Sequence, residues 1–338
     1  MPRSDDRKTI HVTGDLAGKT LGEVVKRGLK VPWSEAERRI LTRLVAVHGN
    51  LCLDSARRLK HGDVVNVHGE SMERPPEAED LDVVHQDRHL VVVNKPAGLV
   101  SVREPREKGL SQKRRERQPT LDELLDRRLR KNQPPHKRGR AGGGREQLVF
   151  PVHRLDRDTS GLMLFARTEE AADLLVRMFQ AHEVERHYRA IVHGQPPKRA
   201  IRSEFVRDRG DGRRGSVNEN APPNQPTQHA VTHVRPMRSL GELAEVECTL
   251  ETGRTHQIRI HLAEIGHPVC GDKTYGRREE KPPPRQALHA ATLVFAHPMT
   301  GREMSFTRDW PRDVEGWIRK VSSRPTRSSA RRGGSDTA

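Results

Sequence analysis

The sequence predicts an α+β fold: a large mixed, mainly antiparallel sheet with flanking helices, preceded by a small α/β unit. Three observations predict it. Segments that alternate polar and apolar residues outnumber those with helical spacing. Successive strands mostly lie next to each other with only turns between, which argues against a βαβ array. Residues 9–70 carry their own helices and strands, set off by a Pro- and acid-rich linker at 71–80. At 338 residues the chain is long enough for one large domain, 81–318, and this accessory one.

The small unit opens with a strand at Thr9-Ile10-His11-Val12. Helical spacing follows at residues 21–29 and 34–44, with Ser34 as the expected N-cap and Glu37 completing a capping box. Residues 45–50 and 59–67 read as short strands with Gly turns between them. In the larger unit, residues 81–93 read as two strands about Gln86-Asp87-Arg88, ending at Asn94-Lys95-Pro96-Ala97-Gly98. A basic insertion spans about 103–148, with 15 Lys or Arg against 7 Asp or Glu, so it carries half of the net charge of +16. Within it, residues 120–129 put Leu121, Leu124, Leu125 and Leu129 on one helical face. The flanks are poor in apolar residues, and Gly142-Gly143-Gly144 lacks the ending and the preceding strand of a phosphate loop.

Residues 162–166 read as a buried strand, and 169–182 as a helix with Ala172, Leu175, Val176 and Phe179 inward. Strands are expected at 187–192, 232–235, 244–250 and 255–260, with a turn or mobile hairpin tip at 207–228. Residues 293–296 and 304–306 form a closing hairpin, and 319–338 read as a disordered basic tail.

A net charge of +16 and a pI of about 10.4 call for a polyanionic partner, nucleic acid or an acidic membrane face. The membrane reading is weak, because no stretch approaches the roughly 20 apolar residues of a span. Residues 1–8 lack the apolar core of a signal peptide. Cys52, Cys248 and Cys270 are scattered, which fits buried thiols in a reducing cytoplasm. On a strand, His256 and His261 would face opposite ways and could not share a metal, and His182 and His187 straddle a helix end. No metal or cofactor is expected.

The densest chemistry is Val152-His153-Arg154-Leu155-Asp156-Arg157-Asp158-Thr159-Ser160-Gly161-Leu162. Neighbouring arginines favour an ionised Asp156, and an ionised, partly buried carboxylate serves as nucleophile or base. On residue chemistry alone, an ordinary surface turn is an equal reading.

That run resembles the signature of the RluA family of RNA pseudouridine synthases nearly residue for residue. Asn94-Lys95-Pro96-Ala97-Gly98, residues 120–129, His187-Tyr188-Arg189-Ala190 and Thr252-Gly253-Arg254-Thr255-His256-Gln257-Ile258-Arg259-Ile260-His261-Leu262 follow the family pattern in order. Gly266-His267-Pro268-Val269-Cys270-Gly271-Asp272 and Tyr275-Gly276 continue it, so the likeness spans about 81–310. Residues 9–70 resemble an S4-type RNA-binding module, with Arg38, Arg39, Arg43, Arg57, Arg58 and Lys60 as expected phosphate contacts. The segment Glu185-Arg186-His187-Tyr188 departs from the family's usual lysine near the tyrosine, a place where Arg186 supplies the charge.

The resemblance implies that the chain isomerises uridine to pseudouridine in structured RNA, most of all large-subunit ribosomal RNA. Transfer RNA, or a non-catalytic RNA-binding or ribosome-assembly role, are the alternatives. It makes Asp156 the catalytic aspartate, which attacks the sugar carbon or takes the neighbouring 2′ proton. Tyr188 stacks on the flipped uracil, and Arg259, on a strand face with Gln257 and His261, pairs with Asp156. Arg154 handles the flipped nucleotide, Arg254 and His256 touch phosphate, and Lys95 is either an RNA contact or a structural pair. RNA is the expected partner, and the enzyme is expected to be monomeric and cytoplasmic. The segments 103–117, 131–147 and 319–338 are expected to add nonspecific RNA affinity.

Overall fold

The computed structural model describes residues 8–47, 50–69, 71, 76–103, 115–116, 118–131 and 148–322. The Gly142-Gly143-Gly144 loop, most of the basic flanks and the chain after 322 lie outside them.

The N-terminal unit has a four-stranded antiparallel sheet in the order β1-β4-β2-β3. Its strands are β1 (Lys8–His11), β2 (Val45–Val47), β3 (Asn50–Leu51) and β4 (Val64–Val67). Helices α1 (Leu21–Leu29) and α2 (Trp33–Leu41) pack Val24, Val25, Ala36 and Ile40 against Val45, Val47 and Val65. Thr20 caps α1 by accepting from Glu23 N. Ser34 does not cap α2 as its sequence pattern predicts. Pro32 occupies the N-cap with no side-chain bond, and Ser34 lies inside the helix. Proline fixes the backbone φ where a helix starts and sets the boundary first.

The larger unit is built on an 11-stranded sheet. Its strands are β5 (Asp82–Gln86), β6 (Leu90–Lys95), β7 (Phe150–Pro151), β8 (Ser160–Ala166), β9 (Glu185–His193), β10 (Arg199–Val206), β11 (Gly215–Ser216), β12 (Gln228–Leu240), β13 (Leu243–Leu250), β14 (Leu288–Ala296) and β15 (Glu303–Thr307). The main path runs β11-β10-β12-β13-β9-β14-β8-β6-β5, and only β14 and β8 pair in parallel. The helices are α3 (Leu121–Lys131), α4 (Glu169–Gln180), α5 (Gln257–Glu264) and α6 (Arg312–Ser322).

Both faces of the central strands are covered. Val91, Val93, Met163 and Phe165 enter one core with Leu121, Leu125, Ile258 and Leu262 from α3 and α5. Leu90, Val92, Leu162 and Leu164 enter the opposite core with Ala171 and Leu175 from α4. This explains why β6 and β8 read as continuous apolar runs and not as alternating ones. In α4, Val176 faces outward, 37% exposed, and not inward as the spacing predicts. Residues 78–80, read as linker, form a 3-10 turn whose carbonyls accept from Arg128 on α3. The expected strand at 255–260 is helix α5, and residues 319–322, read as tail, belong to α6. No helix among the described residues is long and apolar enough to cross a membrane.

Candidate active site

Asp156 sits in the loop between β7 and β8, and that loop is fastened at several points. Buried Ser101 accepts from Leu155 N at 3.1 Å and donates to Leu155 O at 2.7 Å. Thr159 N closes the turn onto Asp156 O at 3.2 Å, and Gln286 Nε2 donates to Thr159 Oγ1. Lys95 is 0% exposed, and its Nζ donates to the carbonyls of Pro96 (3.0 Å), Leu99 (2.9 Å) and Arg157 (2.9 Å). Three acceptors match the three donors of an ammonium. Burial nevertheless pulls its pKa down to about 7, against the opposing charges of Asp158 and Asp156. The RNA-contact reading of Lys95 is therefore corrected: it clamps the β6 turn to the Asp156 loop from inside the core.

Strand register gathers the site. Lys95 on β6 pairs with Gly161 on β8, Gly161 with Ala290 on β14, and Ala290 with Tyr188 on β9. Gly161 has φ +117°, and a Cβ there would lie 2.2 Å from Ala290 O. Only glycine lets the parallel β8–β14 contact form beside the Asp156 loop.

Across the loop stands Arg259 on α5. Its Nη1 donates to Asp156 Oδ2 at 3.0 Å. Its Nε and Nη2 donate to Asp272 Oδ2 (2.7 Å) and Oδ1 (2.9 Å), a bidentate pair with a side chain only 1% exposed. Asp272 Oδ1 is aimed by Thr274 N and Tyr275 N. The Arg259 guanidinium also lies 5.2 Å from the Tyr275 ring centroid. Asp156 Oδ1 accepts no hydrogen bond among the described residues.

Burial works against the charge on Asp156, but the cations around it prevail and hold its pKa below the usual carboxylate range. His256, 3.9 Å from Asp156 Oδ2, contributes to this only in its charged form, beside the standing charges of Arg259 and Arg154. Burial takes His256 itself down to about 4, with Asp156 opposing. Near pH 7 the imidazole is therefore neutral, and Arg259 is the standing partner of Asp156. For Arg259, burial favours the neutral form, yet Asp272 and then Asp156 more than offset it and raise its pKa.

The remaining expected site residues divide. Tyr188 is 6% exposed, on the same core face as Leu155 and Ile258. Burial, helped by the charge of Asp156 and opposed by Arg186, raises its pKa, so the phenol keeps its proton at neutral pH. Arg154 is exposed beside Asp156. Arg254 is exposed, with Nε donating to His229 O at 2.9 Å. His256 faces inward to Asp156 and bonds Tyr275 Oη through Nδ1 at 3.1 Å, so it presents no cation to a phosphate. Sequence reasoning gives Asp272 and Tyr275 no role, although both stand in the quoted pattern. Asp272 is 13 residues from Arg259, and only the turn that follows α5 brings it back.

His256 and His261 do not lie on opposite faces of a strand. They lie at the cap and inside α5, where His261 bonds Thr232 and Ser203. Among the described residues, one group brings metal-type ligand atoms within 4.8 Å of one another: His193, Cys270 and Glu279. There Glu279 already accepts from Gly271 N at 2.7 Å.

The family model described as RNA pseudouridylate synthase matches residues 89–264. The ribosomal large subunit pseudouridine synthase D of Zymomonas mobilis is 34% identical over 280 residues, covering 79% of this chain and 82% of that protein. The protein of the same name from Vibrio cholerae is 33% identical and covers 90% and 93%. The uncharacterised RNA pseudouridine synthase YhcT of Bacillus subtilis is 33% identical and covers 90% and 94%. Among solved structures, human RNA pseudouridylate synthase domain containing 4 superposes with a TM-score of 0.54 at 23% identity, covering 72% of this chain and 95% of that one. That likeness shows the fold, and the sequence matches show more: this chain belongs to the RNA pseudouridylate synthase family, and it is an RNA pseudouridine synthase.

Proposed function

We propose that the chain converts uridine to pseudouridine in large-subunit ribosomal RNA, with Asp156 as the reacting carboxylate. The observation that carries the chemical part is the chain Asp156–Arg259–Asp272. One oxygen of Asp156 is tied to a fixed guanidinium, and the other has no hydrogen-bond donor among the described residues. Such a carboxylate is ionised, aimed and free to meet the sugar of a flipped nucleotide.

The target uridine leaves its stack to reach a carboxylate in a loop. Arg154, exposed next to Asp156, enters the gap or holds the nucleotide. The N1–C1′ bond breaks, the base turns, and C5 bonds to C1′. Attack at C1′ and removal of the 2′ proton both use the same anion. C5 then loses its proton while N1, released from C1′, takes one up, so the balance needs no redox partner and no added atom. Tyr188 lies on the same face with no protein hydrogen-bond partner for its hydroxyl among the described residues, which suits stacking on uracil and a proton step near C5.

Ribosomal RNA as the target follows from the names of the Zymomonas mobilis and Vibrio cholerae relatives. The N-terminal unit serves in this reading as an S4-like RNA-binding arm. Its two helices on a small sheet support that. Arg38 and Arg39, however, both engage Glu35, and Arg58 donates to Gly18 O, so fewer of its cations are free than the sequence implies.

The test is a pseudouridine map of total RNA from cells with and without the gene. Loss of discrete large-subunit positions is the expected result. Loss confined to transfer RNA would move the target. An unchanged map beside an assembly defect would sink the reading in favour of a non-catalytic assembly factor.

A further inference from the structure

Arg186 lies on β9 two positions before Tyr188, so both side chains leave the strand on the same side. It is 8% exposed. No carboxylate and no carbonyl among the described residues accepts a hydrogen bond from it. Its Nε is buried without a partner among the described residues. Its guanidinium rests 5.3 Å from the Phe179 ring centroid, and its charge reaches Tyr188 and His153. Burying a cation without an anion or acceptors is costly, so such groups are uncommon in finished structures.

Gly253 gives the second observation. Its φ lies outside the left-handed region, so the backbone there does not call for glycine. A Cβ would instead lie 2.9 Å from Arg186 Nη1. Gly253 is exposed, and the missing side chain leaves an opening from the surface onto the guanidinium tip. Arg254 follows directly, also exposed, and among the described residues only its Nε is engaged, on His229 O.

We propose that Arg186, reached past Gly253 and joined by Arg254, binds a backbone phosphate of the substrate RNA beside the flipped uridine. This rests on the RNA-modifying function read above. A phosphate fits because a guanidinium fork matches its oxygens in a bidentate way. It also supplies the negative charge that the protein leaves out, which an uncharged base carbonyl would not.

The test uses the full-length protein and large-subunit ribosomal RNA transcribed in vitro. Binding is measured across a salt series, beside steady-state pseudouridine formation and chemical unfolding, for Arg186→Gln, Arg186→Lys and Gly253→Ala. Arg186→Gln should raise Kd and KM about tenfold with kcat little changed, the scale of one charge-assisted contact. It should lower the slope of log K against log salt by about 0.7–0.9, the value of one phosphate. Arg186→Lys should keep the wild-type slope. Gly253→Ala should bind like Arg186→Gln with an unchanged unfolding midpoint, because the atom it displaces is the movable end of a side chain. A purely structural arginine predicts the opposite: a lowered midpoint in Arg186→Gln with the wild-type slope intact. That result, or wild-type binding by Gly253→Ala, overturns the proposal. The slope comes from binding alone, so absence of pseudouridine in this RNA would count against the target and leave the phosphate contact tested.

Discussion

Asp272→Asn separates the support of the candidate site from its proposed reacting carboxylate, Asp156. Asp272 makes no hydrogen bond to the Asp156 loop among the described residues; it holds Arg259 by two bonds, and its side chain is 1% exposed. Asparagine keeps the shape and one acceptor oxygen, which stays with Thr274 N and Tyr275 N. The new amide then points N–H groups at Arg259 Nε, donor against donor. Breaking one partner of a buried ion pair costs about 3–5 kcal/mol. Arg259 retains Asp156, which places the expected loss toward the lower end. At a urea slope of about 3 kcal/mol/M, the unfolding midpoint falls by about 1 M. Arg259 also loses the fork that fixes its angle, and displacements of about 1 Å lower turnover by up to about 100-fold. The assay pairs urea unfolding with single-turnover pseudouridine formation at saturating RNA, where kcat should fall and KM stay near wild type. Wild-type stability together with wild-type turnover would refute the claim that Asp272 aims Arg259.

Two further outcomes follow from buried groups. Lys95→Met leaves the carbonyls of Pro96, Leu99 and Arg157 without their donor, so stability should drop by about 1–3 kcal/mol or more while the salt slope of RNA binding stays unchanged; a reduced slope would restore the RNA-contact reading. Acid should weaken the fold between about pH 6.5 and 4. His261 and His289 are both 0% exposed, and burial lowers each to about 4. Within that window the unfolded chain takes up protons that the folded chain refuses, so stability falls as pH falls. Each histidine contributes a slope approaching about 1.4 kcal/mol per pH unit. His289→Gln should flatten part of that slope in urea unfolding at stepped pH; an unchanged slope would exclude His289 as a source.

The framework of the molecule is legible in its sequence where burial is one-sided or continuous. The hairpin of β5 and β6, the apolar run of β8, the leucine face of α3 and the closing hairpin of β14 and β15 all follow from periodicity. Helix α5 does not. Gln257-Ile258-Arg259-Ile260-His261-Leu262 alternates polar and apolar residues and so reads as a strand. In the folded chain all six are buried, and the polar ones are satisfied internally. Gln257 bonds Thr252, Thr232 and Val231 O; Arg259 bonds two aspartates; His261 bonds Thr232 and Ser203. A helical stretch buried on every side, as 257–262 is, leaves no amphipathic signature. The candidate site divides in the same way. Asp156 stands out through the charged residues packed around it, but Asp272 and the interior position of Lys95 depend on which segments the fold brings together.

The central claim is that Asp156 is the group that reacts. The most direct measurement is single-turnover pseudouridine formation by Asp156→Asn and Asp156→Ala, with RNA affinity measured beside it. Both variants should bind RNA within a few-fold of wild type and form no detectable pseudouridine. Modification by Asp156→Ala at the wild-type rate would contradict the account.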